Sequence, residues 1–153
     1  MNILLQLAGA VPPPVPDEPK QTEFIVELRI DDLRLDGGTQ SRESINRGHV
    51  QALAEARERG VVLPPIEVYF DGQNRWATDG FHRIQDCKNA GITTIRARVV
   101  EGTQRDAILA SVGKNSDHGL PRTNVDKRRA VMTLLQDTEW GQWSDREIAR
   151  GAG

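Results

Sequence analysis

One cysteine, seven aromatic side chains and no long apolar run set the first limits on this 153-residue chain. The single thiol, Cys87, forms no internal disulfide and no cysteine-based zinc site, so a reducing, cytoplasmic setting is expected. Cys87 falls in a predicted helix beside Ile84 and Ala90 and is read as a packing residue. Aromatics make up 5% of the chain, so the core is expected to be mainly aliphatic. No stretch approaches the roughly 20 apolar residues of a membrane span, and no membrane partner is expected. Met1–Ala10 is partly apolar, but it lacks a basic n-region and Gln6 interrupts it, so it is not read as a signal peptide. Neither sign of charge dominates: 20 basic and 22 acidic side chains leave a net charge of −2. That balance argues against a uniformly basic nucleic-acid binder. Residues 1–40 carry net −4, 41–100 net +2 and 101–153 net 0, so any anion site must be a local cluster. The length allows one compact domain plus a small appendage.

What is present is punctuated clearly. Pro12-Pro13-Pro14-Val15-Pro16 reads as an extended tail or spacer, giving a flexible segment over 1–22. Phe24–Ile30 is β-rich and predicts a strand. Asp36-Gly37-Gly38-Thr39 reads as a turn. Ser44 or Asn46 is positioned to cap a helix from about Arg47 to Arg59, with Val50, Leu53, Ala54 and Ala56 at roughly helical spacing and Gly60 as its stop. Ile66–Phe70 and Arg75–Thr78 predict a hairpin around Asp71-Gly72-Gln73-Asn74. A helix then runs from near Phe81 to Gly91, and a strand from Ile92 to Val100. Thr103 caps a helix over Gln104–Val112, Thr123 or Asn124 caps one reaching Gln136, and a last helix begins at Ser144. Strands and helices mix up to about residue 112, and only helices follow. The expected fold is therefore α/β (α+β): a small mixed sheet with packed helices over 23–112, then an all-helical region over 113–153.

The sharpest chemical feature is Thr78-Asp79-Gly80-Phe81-His82-Arg83, where a strand ends in a glycine turn that opens a helix. The first turn of a helix has unpaired N–H groups and partial positive charge. Glycine lets a ligand approach the backbone. His82 and Arg83 add donors, and a guanidinium can hold a phosphate by two bonds. The alternative is a plain hairpin-to-helix turn with exposed side chains. The order Leu63-Pro64-Pro65-Ile66-Glu67-Val68, hairpin, Asp79-Gly80-Phe81-His82-Arg83, Ala90-Gly91-Ile92, strand resembles the N-terminal domain of ParB proteins. There a Pro-Ile-x-Val strand precedes a Gly-Glu-Arg-Arg phosphate motif. It is also similar to sulfiredoxin, whose motif is Gly-Cys-His-Arg. The nucleophilic cysteine of that motif falls on Phe81, which excludes sulfiredoxin chemistry here. The resemblance implies a bound nucleoside triphosphate, CTP or ATP, with phosphates at Gly80, His82 and Arg83.

The same resemblance extends to Lys114-Asn115-Ser116-Asp117-His118, where ParB proteins begin Glu-Asn and continue with Gln-Arg to hold the nucleotide and its magnesium. Asn115 matches the asparagine and His118 falls where the arginine sits. Lys114 replaces the glutamate, and an ammonium has no lone pair for magnesium, so metal-dependent hydrolysis is in doubt while Lys114 can meet phosphate directly. Arg42 stands where an Asn-Pro-Arg segment is implied and is a further candidate. Read without the resemblance, these are polar loop residues and an ordinary surface arginine.

Lys127, Arg128 and Arg129 crowd one helical turn and are candidate DNA-phosphate contacts, or simply a solvated helix face. Ser144-Asp145-Arg146-Glu147 is a capping box. Ala149 followed by Gly153 has the spacing of the first helix and turn of a helix-turn-helix, with Arg146 as a further DNA candidate. The recognition helix is not included, so the sequence is expected to be a piece of a longer chain. The leading functional expectation is a nucleotide-binding, DNA-associated protein of plasmid or chromosome partition or of transcription regulation, with nucleotide, DNA and a second copy as partners. The alternatives are a nuclease or nucleotide hydrolase using Asp71, Asp79, Asp86 or Asp117, and an interaction module without ligand.

Overall fold

The computed structural model describes residues 24–40, 42, 44–114 and 120–153. The proline-rich segment and the Asn115–Gly119 stretch lie outside the described residues. Five strands form one curled sheet in the order β1-β5-β3-β4-β2. They are β1 (Phe24–Arg29), β2 (Leu33–Arg34), β3 (Ile66–Phe70), β4 (Arg75–Asp79) and β5 (Thr94–Glu101). β1 runs antiparallel to β5, β5 parallel to β3, β3 antiparallel to β4 and β4 parallel to β2. The helices are α1 (Arg47–Glu58), α2 (Phe81–Asn89), α3 (Gln104–Gly113), α4 (Asn124–Gln136) and α5 (Asp145–Ala152).

The hairpin forms because Asp71 satisfies its turn. Its Oδ1 accepts from the Gln73 and Asn74 N–H groups and its Oδ2 from Trp76 Nε1. Those bonds hold the Asp71 carboxyl down at about 2. Ile66, Val68, Ala77 and Ala97 form the floor of an aliphatic core, which α2 covers with Ile84 and Cys87. Cys87 is buried, as a packing residue should be, and burial raises its thiol pKa. α1 is tied to α2 by Arg57, whose Nε and Nη2 donate to both oxygens of buried Asp86 at 3.0 and 3.1 Å.

A second cluster joins Val112, Ala130, Leu134, Trp140, Ile148 and Ala152. α3 packs on β3 and β4 and also on α4 and α5, so it links the sheet to the helical region. Arg105 of α3 reinforces that link. It forks onto Asp137, reaches Glu139 and lies 4.0 Å from the centre of the Trp140 ring. Thr103, Thr123 and Ser144 each form a full capping box with Asp106, Asp126 and Glu147.

Two elements differ from the sequence reading. β2 was not expected, and β5 begins at Thr94 instead of Ile92. Ile92 N donates to Cys87 O, and Gly91 sits at φ +71°. Both residues therefore belong to the turn that closes α2. Among the described residues, no helix is long and apolar enough to cross a membrane.

Candidate functional site

β4 delivers the chain to Gly80, and the local structure there has little freedom. Gly80 has φ +93° and serves as the N-cap of α2. A Cβ at this position would run into the fully buried Ile66 side chain. Asp79 Oδ1 accepts from the Gly80 N–H at 2.8 Å, and Gly80 O accepts from Ile84 N to start the helix. α1, α3, α4 and α5 are each capped by a side chain at their own N-cap, whereas α2 has none. The first-turn amides of α2 lack partners within the helix, and the dipole adds positive potential. This end of α2 therefore carries first-turn amides without a side-chain cap, in a region of positive potential.

The two side chains of the motif are placed inward. His82 is buried, and its Nε2 accepts from the Asn46 N–H at 3.0 Å, tying α2 to the N-cap of α1. Asn46, and not Ser44, caps α1 by accepting from His49 N. The His82 and His49 rings meet edge to face at 5.1 Å. Arg83 is also buried. Its Nη1 donates to Pro64 O and Pro65 O at 2.5 and 2.7 Å, and its Nη2 to Asp79 Oδ2 at 3.2 Å. The guanidinium fork offered to phosphate by the sequence reading thus holds the entry to β3 against the start of α2 in this structure.

Around this point, Arg42 and Lys114 each reach a carboxylate. Arg42 donates to Leu120 O at 2.5 Å and reaches Pro121 O and Asp126 at 3.3 and 3.5 Å. Lys114 Nζ lies 2.7 Å from Glu67 Oε2, and Glu67 Oε1 takes the Thr78 hydroxyl at 3.2 Å. Glu67 is the cross-strand partner of Asp79, so the Lys114 pair stands beside the strand end that feeds Gly80. Arg122 donates to Val112 O and Ala152 O, and its buried Nε and Nη2 have no hydrogen-bond partner among the described residues.

The two imidazoles register the resulting potential. Burial lowers the His49 pKa, and the charges of Arg42 and Arg83 lower it further. Burial, then His49 and Arg42, bring His82 down to about 4. His82 is therefore neutral, as its acceptor role requires. The unfolded chain takes up a proton on His82 near pH 6.5, but the folded state refuses it until about pH 4. The associated stability is whole above about pH 6.5 and is lost as the pH falls through that window. At about 1.4 kcal/mol per pKa unit it is on the order of 3 kcal/mol. The Asp71 contribution is lost lower, between 3.8 and about 2. Urea unfolding at about pH 7 and about pH 4.5 should show a clear fall in midpoint. Equal midpoints would contradict a buried neutral His82.

Gly80, His82 and Arg83 open α2, Arg42 is close enough to lower the His82 pKa, and Lys114 pairs with Glu67 beside the strand end that feeds Gly80. Asn115 and His118 lie outside the described residues. Lys127, Arg128 and Arg129 are exposed on α4, and Arg146 is exposed on α5. Sequence reasoning missed Glu67 and Asp126 as partners of Lys114 and Arg42, and His49 beside His82. Only Asp126 had a local signal, as N3 of the Thr123 capping box. Asp71, Asp79 and Asp86 do separate jobs, at the hairpin turn, at Gly80 with Arg83, and at Arg57. Among the described residues, no group of three or more His, Cys, Asp or Glu is arranged to hold a metal ion.

Comparison with known proteins agrees with this fold. A family model described as the ParB N-terminal domain matches residues 16–116. The transcriptional regulator NovG of Streptomyces niveus is 36% identical over 105 residues, covering 69% of this chain and 31% of the relative. The chain spans about three tenths of the length of the relatives it matches. Two structures of the C-terminally truncated chromosome-partitioning protein ParB from Caulobacter crescentus share the fold. The complex with the centromeric parS site has a TM-score of 0.56 at 18% identity, covering 84% of this chain and 64% of that one. The complex with CTP-γ-S has a TM-score of 0.51 at 17% identity, covering 84% and 71%.

Proposed function

Because this chain belongs to the ParB N-terminal domain family, we propose that it binds a nucleoside triphosphate at the N-terminus of α2 and works in a DNA-associated transcription regulator. The observation that carries this reading is the uncapped, glycine-led start of α2, with Arg42, Arg83 and Lys114 drawn in around it. CTP is favoured over ATP, since a structure of the same fold is a complex with CTP-γ-S. Regulation is favoured over partition, since NovG is a transcriptional regulator.

DNA contact is assigned to the helical region. Lys127, Arg128, Arg129 and Arg146 are exposed there and suit phosphate contacts. In a helix-turn-helix reading, α5 is the first helix. Exposed Ala149 would then let a second helix approach closely. Nucleotide binding would bias a conformational or homodimeric state. The test is calorimetric titration of CTP and of ATP into the chain. Micromolar binding of CTP, tighter than that of ATP, is the expected result. Heat with neither nucleotide would leave the fold without this ligand and sink the proposal.

A further inference from the structure

The resemblance to ParB proteins implies magnesium beside the nucleotide, and the described donors around Gly80 do not fit that ion. Magnesium takes oxygen ligands in tight octahedral geometry, usually one or two carboxylates together with substrate phosphates and several waters. The described carboxylates beside α2 are already committed. Asp79 bonds the Gly80 N–H and Arg83. Asp126 bonds the Thr123 N–H and Arg42. Glu67 bonds Lys114 and Thr78. Where the resemblance implies a carboxylate, this chain places the Lys114 ammonium, fixed by Glu67 at 2.7 Å.

Lys114 is not sealed in. Its side chain is 38% exposed, while that of Glu67 is 14% exposed. Glu67 therefore acts as the fixed anchor and Lys114 as the arm at the surface. An ammonium has three N–H donors. One serves Glu67, and two remain for phosphate oxygens. Glu67 pairs across the strands with Asp79, the residue before Gly80, so the Lys114 pair stands beside the strand end that leads into α2.

We infer that this site takes its triphosphate without a divalent cation, Lys114 on its Glu67 anchor supplying the positive charge that a metal would otherwise bring. The inference rests on the nucleotide reading above and is separable from it. The test is calorimetric titration of CTP into the chain in EDTA and in excess magnesium, for wild type, Lys114→Gln and Lys114→Glu, with circular dichroism to establish that each is folded. Wild type should bind with affinities that agree within about threefold in the two buffers. Loss of one charge-assisted contact should weaken Lys114→Gln by about ten- to a hundredfold in both. Lys114→Glu sets a second carboxylate beside Glu67, so it should bind weakly in EDTA and recover with magnesium. Wild-type affinity more than about tenfold higher with magnesium would overturn the inference and leave the nucleotide site standing. Wild-type affinity retained by Lys114→Gln would also overturn it. No binding in either buffer would overturn both.

Discussion

Gly80→Val should destabilise the protein by on the order of 3 kcal/mol, and Gly72→Val by about half of that or less. The two glycines have nearly the same backbone, φ +93° and φ +96°. Placing an L side chain in that region costs about 1–2 kcal/mol at either position. The difference between them is space. A Cβ at Gly72 meets nothing within 4 Å, whereas one at Gly80 runs into Ile66 of β3, which is fully buried and cannot retreat. Overpacking of that kind adds about 1–3 kcal/mol. For a chain of this length, Gly80→Val should lower the melting temperature by roughly 10 °C. Thermal unfolding of the pair is the check. Equal losses would mean that Gly80 is needed only for its dihedral and that the tight seat of α2 on β3 is misread.

Arg83→Ala should cost about 3–5 kcal/mol, more than a phosphate-binding arginine at a surface would. Its guanidinium is buried and serves two backbone carbonyls and one carboxylate. Removing it leaves the Pro64 and Pro65 carbonyls without their donor, and Asp79 without its ion-pair partner but still bonded to the Gly80 N–H. Arg83→Lys should recover little, because a single ammonium cannot reproduce the fork that spans Pro64, Pro65 and Asp79. Urea unfolding measures both variants. Near-wild-type stability with lost nucleotide binding would reverse this assignment and return Arg83 to the phosphates. Until then, loss of binding in Arg83→Ala says little about phosphate contact, since β3 and α2 lose their common anchor.

Local chemistry made much of this architecture legible. Asn46, Thr103, Thr123 and Ser144 are capping residues followed by helical periodicity, and each does begin a helix. Asp71-Gly72 marks the hairpin and Gly80 the tight turn. β2 carried no such signal. It is two residues long and exists because Leu33 and Arg34 find β4, about forty residues away, as a parallel neighbour. The ends of β5 were blurred because Gly91 and Ile92 close α2 by bonding backward.

The site shows the same division. The Thr78–Arg83 segment could be read as a strand end, glycine turn and helix start from its residue types alone. The roles of its side chains could not, because their partners are distant in sequence. Arg42 and Asp126 are 84 positions apart and Glu67 and Lys114 are 47 apart. No periodicity encodes such pairings. The reading of His82 and Arg83 as donors to phosphate followed from their spacing. Their bonds to Asn46, Pro64 and Pro65 follow from the packing of α2 on the sheet and on α1.

The most direct test of the central claim is to follow backbone amide resonances of the isotope-labelled chain during titration with CTP. Binding at the N-terminus of α2 predicts saturable shifts at Gly80, Phe81, His82 and Arg83, with smaller ones at Arg42 and Lys114, and little change in α5. Saturable shifts confined to other elements, with Gly80–Arg83 unmoved, would contradict the assignment of this site.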